Sequence, residues 1–281
     1  MTTPLRWPQM PERVKSNEIH YPETDGKPMA ESDLHRDIML YLVRLLQRFF
    51  VGQPVYVSGN LLVYYEQGNR YKSVAPDCFV VRDIEPRLRK TYKIWEEGKA
   101  PEVVFEVTSH STQNEDLGKK MGLYARMGVQ EYYLYDPTAD YLQPSLRAFV
   151  LQGGGYVPMT PAREEVDLGD LALVPDPTET PEFISPLLGL RIMLDEANQL
   201  QFYDLQNGKR LLSDEEARDA AESAAESALR QAAQEAQRAE QEAQRAEQEA
   251  QRAIAAAQHA AQVEAENARL RAELAKLRGA Q

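Results

Sequence analysis

The sequence predicts an α/β domain built on a mixed sheet, followed by a long α-helical tail. Three observations carry that reading. A strand, a helix and a second strand follow one another between Val103 and Tyr135, which implies a parallel pair joined by a right-handed crossover. Short apolar runs before and after this unit supply further strands. After Leu212 proline disappears, and alanine, glutamate, glutamine and arginine take over. The predicted divisions are an irregular arm over 1–30, a sheet-bearing domain over 31–212 and an Ala-rich coiled-coil helix over 213–281.

The arm is polar and proline-bearing, without periodicity. From Ser32 to Phe50 the apolar residues Leu34, Ile38, Tyr41, Leu42, Leu45, Leu46 and Phe49 recur at three- and four-residue spacing. That spacing predicts an amphipathic helix with Ser32 as its N-cap. Val55 to Val57 and Leu61 to Tyr65 read as strands, and Gly59-Asn60 between them as a hairpin signal. Cys78 to Val81 is a short apolar strand directly after Pro76-Asp77. Val103 to Thr108 is apolar on both faces apart from one glutamate, as in a central, fully covered strand. Thr112 and Glu115 have capping-box spacing and open a helix to about Met127, where Gly128 stops it. Glu131 to Tyr135 form the next strand. Leu146 to Leu151, Leu190 to Leu194 and Leu200 to Tyr203 are expected to extend the sheet or cover its edge.

In the tail AEQEAQR repeats almost perfectly. Alanines 232, 236, 239, 243, 246, 250, 253, 257 and 260 alternate spacings of four and three, a sustained heptad seam. Val263, Asn267, Leu270, Leu274 and Leu277 continue it after a stammer-like three-residue step. Asn267 falls at an a position, which favours an in-register parallel pair. Alanine buries little area, so the Leu-rich end is expected to drive pairing. The expected assembly is a homodimer.

Composition narrows the function. No run of about 18 apolar residues exists, so nothing is expected to span a membrane, and residues 1–15 lack the apolar stretch of a signal peptide. The single cysteine, Cys78, excludes internal disulfides and fits a reducing, cytoplasmic setting. Four scattered histidines show no metal-ligand spacing. A metal would therefore be held by carboxylate oxygens, which points to Mg2+ or Mn2+. Net charge is −12; 14 of the 44 acidic and 9 of the 32 basic residues lie from Ser213 onward, leaving 30 against 23, or −7, before it. Proteins that coat nucleic acid are usually basic, so any DNA contact here must be local.

The chemistry concentrates between Pro76 and Pro137. Side chains alternate along a strand, so Val103, Phe105 and Val107 share one face and Val104, Glu106 and Thr108 the other. A carboxylate in a central strand loses its hydration and needs a cation or several donors. An adjacent strand would set Asp77 beside Glu106, and two close carboxylates need a positive charge between them. On the following helix Leu117, Met121, Tyr124 and Gly128 line one face at roughly 100° per residue. Lys120 lies about 60° from Leu117 on the flank of that stripe, whereas Lys119 lies about 200° away. Lys120 can thus lay its methylenes on the core and reach the sheet, while Lys119 faces solvent.

The strings APDCFVV, PEVVFEVTSHST and DLGKKMGLYARMGVQEYYLYDP resemble the Uma-two family of restriction endonucleases, within the PD-(D/E)XK nuclease superfamily. The likeness runs from about Tyr21 to Gly208 and is densest over Ala75 to Pro137. It implies a restriction-endonuclease-like core over 31–212, phosphodiester hydrolysis, DNA as partner and a divalent-metal site. By motif position the catalytic residues are Asp77, Glu106 and Lys120, and the metal set is Asp77, Glu106 and Val107. The usual lysine position, two beyond the glutamate, holds Thr108; the D-L-x-x-K-x-x-x-Y pattern puts the lysine at Lys120 instead.

Secondary candidates are Glu31 as an outer ligand, Thr108, and Tyr124 with its hydroxyl turned to the site. His35 is read as a satisfied surface or core group and Cys78 as a small core residue. Arg82, Arg87, Arg89, Lys90 and Lys93 form the best local phosphate-backbone footprint, diluted by Glu85, Glu96 and Glu97. Trp95 beside them could stack on a base or pack.

Overall fold

In the computed structural model, residues 19–24, 32–109, 112, 114–162 and 181–278 are described. They form two compact units, Met1–Asp214 and Glu215–Gln281. Glu31 and most of the predicted arm lie outside the described residues.

Helix α1 spans Asp33–Phe49, and the Ser32 hydroxyl accepts from the His35 N–H at 3.2 Å, the N-cap that the sequence predicts. Its buried face is His35, Met39, Leu42, Leu45 and Leu46. Leu34, expected on that stripe, is 48% exposed, and the neighbouring His35 takes the inward position. The helical phase explains this: His35, Met39, Leu42 and Leu46 lie at i, i+4, i+7 and i+11, one continuous face.

The main sheet has the order β1-β4-β6-β7-β8-β9. Its strands are β1 (Val55–Ser58), β4 (Cys78–Arg82), β6 (Val103–Val107), β7 (Glu131–Tyr135), β8 (Leu146–Gln152) and β9 (Gly155–Pro158). β6 and β7 are parallel, and all other neighbours are antiparallel, so the sheet is mixed. β6 is covered on both faces, and all five of its residues are buried. On one side Val103, Phe105 and Val107 pack with Leu42, Leu45 and Leu46 of α1 and with Ile192 and Phe202. On the other, Val104 packs with Tyr124, Tyr132 and Leu134. This is the face division that strand alternation predicts.

Two expectations about pairing are corrected. Gly59-Asn60 does not close a hairpin: β1 pairs with β4, and β2 (Val63–Tyr64) joins a small separate sheet with β3 (Ser73–Val74) and β5 (Tyr92–Lys93). The Gly-Asn signal instead marks a close crossing over the start of β4. The Asn60 N–H donates to the Pro76 carbonyl at 2.8 Å, and Asn60 adopts a left-handed φ of 49°. A Cβ on Gly59 would stand 2.1 Å from the Asp77 carbonyl oxygen and 2.8 Å from Val43 Cγ2. Second, of the later strands expected to extend the sheet or cover its edge, β8 extends it, whereas β11 (Leu190–Leu194) and β12 (Leu200–Asp204) stand outside it. With β10 (Phe183–Ser185) they form a three-stranded antiparallel sheet whose apolar residues join the α1-side core.

Between β5 and β6 lies the short helix α2 (Ile94–Glu97). Helix α3 links β6 to β7. It opens with a π-helical turn over Glu115–Lys120 and continues as α-helix over Met121–Met127. Gly128 stops it at φ 84°, as predicted. The capping box does not form: the Glu115 N–H donates to the Thr112 carbonyl at 2.9 Å and the Thr112 N–H to the Ser109 carbonyl at 3.2 Å. The tail is helix α4, Asp214–Arg278, about 100 Å long at 1.5 Å per residue. Alanine's high helix propensity and i,i+4 pairs such as Glu226 with Arg230, at 3.4 Å, favour it. Among the described residues no helix is long and apolar enough to cross a membrane.

Gly59→Ala should cost about 1–3 kcal/mol, because the new methyl meets backbone rather than a yielding side chain, and lower Tm by roughly 3–10 °C. Thermal unfolding checks this; a Tm within about a degree of native would mean that the crossing is not close.

Candidate active site

The register Cys78↔Phe105, Phe79↔Val104 and Val80↔Val103 carries on to set Asp77 opposite Glu106. Asp77 Oδ2 accepts from the Val107 N–H at 2.7 Å, and Asp77 Oδ1 lies 3.2 Å from His35 Nε2. Glu106 is fully buried. Its Oε2 accepts from Lys120 Nζ at 2.9 Å, and its Oε1 accepts a short hydrogen bond from the Tyr124 hydroxyl. Lys120 Nζ also lies 2.9 Å from Asp116 Oδ1, and Asp116 is 1% exposed. The Tyr132 hydroxyl donates to the Asp116 carbonyl at 3.0 Å.

The structure therefore brings together Asp77, Glu106, Val107, Lys120 and Tyr124. Thr108 adjoins them, 2% exposed, its N–H donating to the Tyr135 carbonyl at 2.7 Å and its hydroxyl without a hydrogen-bond partner among the described residues. Lys119 is exposed, as phase predicts. Leu117 is not on the buried face, being 36% exposed. The π-turn is the reason, since its wider i→i+5 bonding rephases the helix there; Asp116, Lys120 and Tyr124, at i, i+4 and i+8, share the inward face. Asp116 and His35 are the site residues that sequence reasoning missed. Asp116 had a signal in its i,i+4 spacing to Lys120; His35 had only its phase with the buried leucines.

Electrostatics follows from counting charges. Three carboxylates share the interior with one lysine, and desolvating each carboxylate costs several kcal/mol. Burial pushes the Glu106 carboxyl well above the usual range, and the charges of Asp77 and Asp116 add to this against the opposing pull of Lys120. Burial likewise raises Asp116. For Asp77 burial acts in the same sense, but the hydrogen bond and charge of His35, the Lys120 charge and the Val107 N–H outweigh it and hold the carboxyl low. Lys120 resists desolvation because Glu106, Asp116 and Asp77 surround it, and its pKa is raised.

A divalent cation fits this donor set by charge and chemistry, since oxygen donors are in excess of positive charge. Asp77, Glu106 and the Val107 backbone carbonyl would hold it. Among the described residues no three His, Cys, Asp or Glu side chains are already grouped as a cage, so the fit is one of charge rather than of a preformed polyhedron.

The five basic candidates do not make a free surface. Arg82 pairs with Glu102 at 3.0 Å, Arg87 with Glu97 at 2.8 Å, Lys90 with Glu23 at 2.8 Å and Lys93 with Glu96 at 2.9 Å. Arg89 leaves the set of phosphate contacts. Its side chain is 2% exposed, holds Glu97 at 2.7 Å and lies 4.1 Å over the Tyr56 ring, so it is a core clamp. Trp95 packs on Tyr21, ring centroids 5.2 Å apart.

Residues 5–176, more than half of the chain, match the Uma2 family, described as "putative restriction endonuclease". The chain belongs to that family, whose class is that of nucleases of the restriction-endonuclease type. Among solved structures it is similar to a "putative nuclease belonging to DUF820" from Anabaena variabilis. That match has 17% identity and a TM-score of 0.34, and covers 46% of this chain and 71% of the other. No curated protein matches.

Glu106→Gln gives a pH-dependent test. A raised carboxyl contributes stability that is fully present below its unfolded pKa, near 4.5, and is lost as pH rises through the folded value. Glutamine does not titrate. In metal-free buffer, Tm of Glu106→Gln minus Tm of the native protein should therefore grow from pH 4.5 upward. A difference that is flat or falls with pH would contradict the raised Glu106.

Proposed function

We propose that this protein is a divalent-metal-dependent endonuclease that hydrolyses phosphodiester bonds in DNA. The observation that carries the reading is the buried meeting of Asp77, Glu106 and Lys120, with more carboxylate than positive charge. Family membership supplies the reaction class. Bound Mg2+ or Mn2+ would lower the pKa of a coordinated water and polarise the phosphodiester. Asp77, fixed by the Val107 N–H, and Glu106, fixed by Tyr124, orient their oxygens without further reorganisation. Lys120 keeps its proton between Glu106 and Asp116 and presents a fixed ammonium to the charge developing on phosphate. Arg82, Arg87, Lys90 and Lys93 exchange their carboxylate partners for backbone phosphates, which makes binding salt-dependent.

Plasmid cleavage with Mg2+ or Mn2+ should be abolished or reduced at least about 100-fold in Asp77→Ala, Glu106→Ala and Lys120→Ala. Activity surviving all three changes removes the site assignment; a native chain that neither cleaves nor gains thermal stability with millimolar metal indicates a binding module on a nuclease fold.

The tail pairs two copies in this reading. Leu229, Val263 and Leu270 are 73%, 46% and 49% exposed in the single chain, and Leu229 extends the seam three residues before Ala232. Light scattering at micromolar concentration should give twice the 31.9 kDa chain mass, and Leu270→Asp should shift the equilibrium to monomer. A native monomer under those conditions would falsify the pairing.

A further inference from the structure

The geometry points to His35 as a nitrogen donor to the cation held at Asp77, which makes the site selective for manganese over magnesium. The inference rests on the divalent-cation reading above and adds a ligand to it that neither the family match nor the carboxylate pattern assigns.

Asp77 has two oxygens with distinct occupations. Oδ2 is taken by the Val107 N–H at 2.7 Å, a backbone donor fixed by the β4–β6 pairing. Oδ1 instead faces His35 Nε2 at 3.2 Å, a side-chain contact that a cation can replace once the imidazole is neutral. Any ion on Oδ1 therefore lies within reach of the imidazole.

The spacing suits shared coordination. Two ligands at right angles around an ion, each about 2.1 Å from it, are separated by roughly 3 Å. The 3.2 Å between them is the ion-pair distance and is also close to such an edge, so a cation would take the place of the His35–Asp77 contact. His35 is also held in place. It is 8% exposed, its own N–H is bound by the Ser32 cap, and the helix behind it is anchored by Leu42, Leu45 and Leu46.

Nitrogen changes the choice of ion. Magnesium takes oxygen ligands and dehydrates reluctantly, whereas imidazole suits transition ions, and carboxylates accept manganese as readily as magnesium. A mixed set of Asp77, Glu106 and His35 thus favours Mn2+. In the metal-loaded protein His35 is the neutral tautomer with its Nε2 lone pair on the ion.

Pulsed electron paramagnetic resonance of Mn2+ bound to the full chain tests this directly. The native protein should show coupling to one directly bound nitrogen, changing from the 14N to the 15N pattern when histidine alone is 15N-labelled. His35→Gln should lose the coupling and bind Mn2+ roughly tenfold or more weakly, with little change in Mg2+ affinity measured by thermal shift. Bound Mn2+ without nitrogen coupling, or coupling that persists in His35→Gln, overturns the inference while leaving the carboxylate site standing. Failure of Mn2+ and Mg2+ to bind the native chain at millimolar concentration overturns both. Should His35→Gln not fold, the labelled native chain still decides, since absence of 15N coupling excludes the imidazole.

Discussion

Three carboxylates and one lysine inside the protein form the constraint on which the rest of the domain is arranged. Isolated buried ions of this kind are too costly to persist, and each is retained here because a different element delivers a partner to it. The β4–β6 register brings the Val107 N–H to Asp77, α3 brings Lys120 and Tyr124 to Glu106, and α1 brings His35. No single element contains the site. The aromatic core on this face of the sheet, with Tyr124, Tyr132 and Phe79 fully buried, excludes the water that would otherwise weaken these interactions.

How far the sequence reveals this depends on whether a feature is local. The first helix, its Ser32 cap, the strand at 131–135 and the Gly128 stop are each encoded within a few residues, and they are found where the periodicity puts them. The alternation that turns Glu106 away from its neighbours Phe105 and Val107 is equally local, and Phe105 stacks on Tyr133 on the opposite face of the sheet from the carboxylate. Strand partners are not local. A Gly-Asn pair is a good hairpin signal, yet here it serves a chain crossing, because β4 competes successfully for β1. The separate sheet of β10–β12 is illegible in the sequence for the same reason. Leu117 is misplaced by a different cause: a phase argument at 3.6 residues per turn cannot anticipate a π-turn, so it puts Leu117 inside, although the i,i+4 spacing to Lys120 marks Asp116.

The arginines and lysines after β4 show how an acidic chain deploys its positive charge. Each of the five finds a carboxylate before it could form a patch, and Arg89 goes further by burying its guanidinium among tyrosine rings. Exposed pairs of this sort contribute little to stability, so exchanging Glu23 or Glu96 for a phosphate is nearly neutral. A partly exposed cation can thus be both paired in the free protein and available to a polyanion, whereas a buried one cannot.

The π-helical turn at 115–120 lets the helix take up a change in chain length without disturbing what flanks it. A π-turn accommodates one more residue than an α-turn over the same rise. Loss of the exposed Gly118 there would let the turn relax to α-helix, and the relaxation would absorb the missing residue, where the same loss inside a regular α-helix would swing the segment before it by about 100°. Asp116 would then stand three residues before Lys120 instead of four, still on the same helix face. A deletion inside a regular helix rotates everything beyond it; in this helix the wide turn is slack, and the charges around Lys120 would keep their places when it is drawn in.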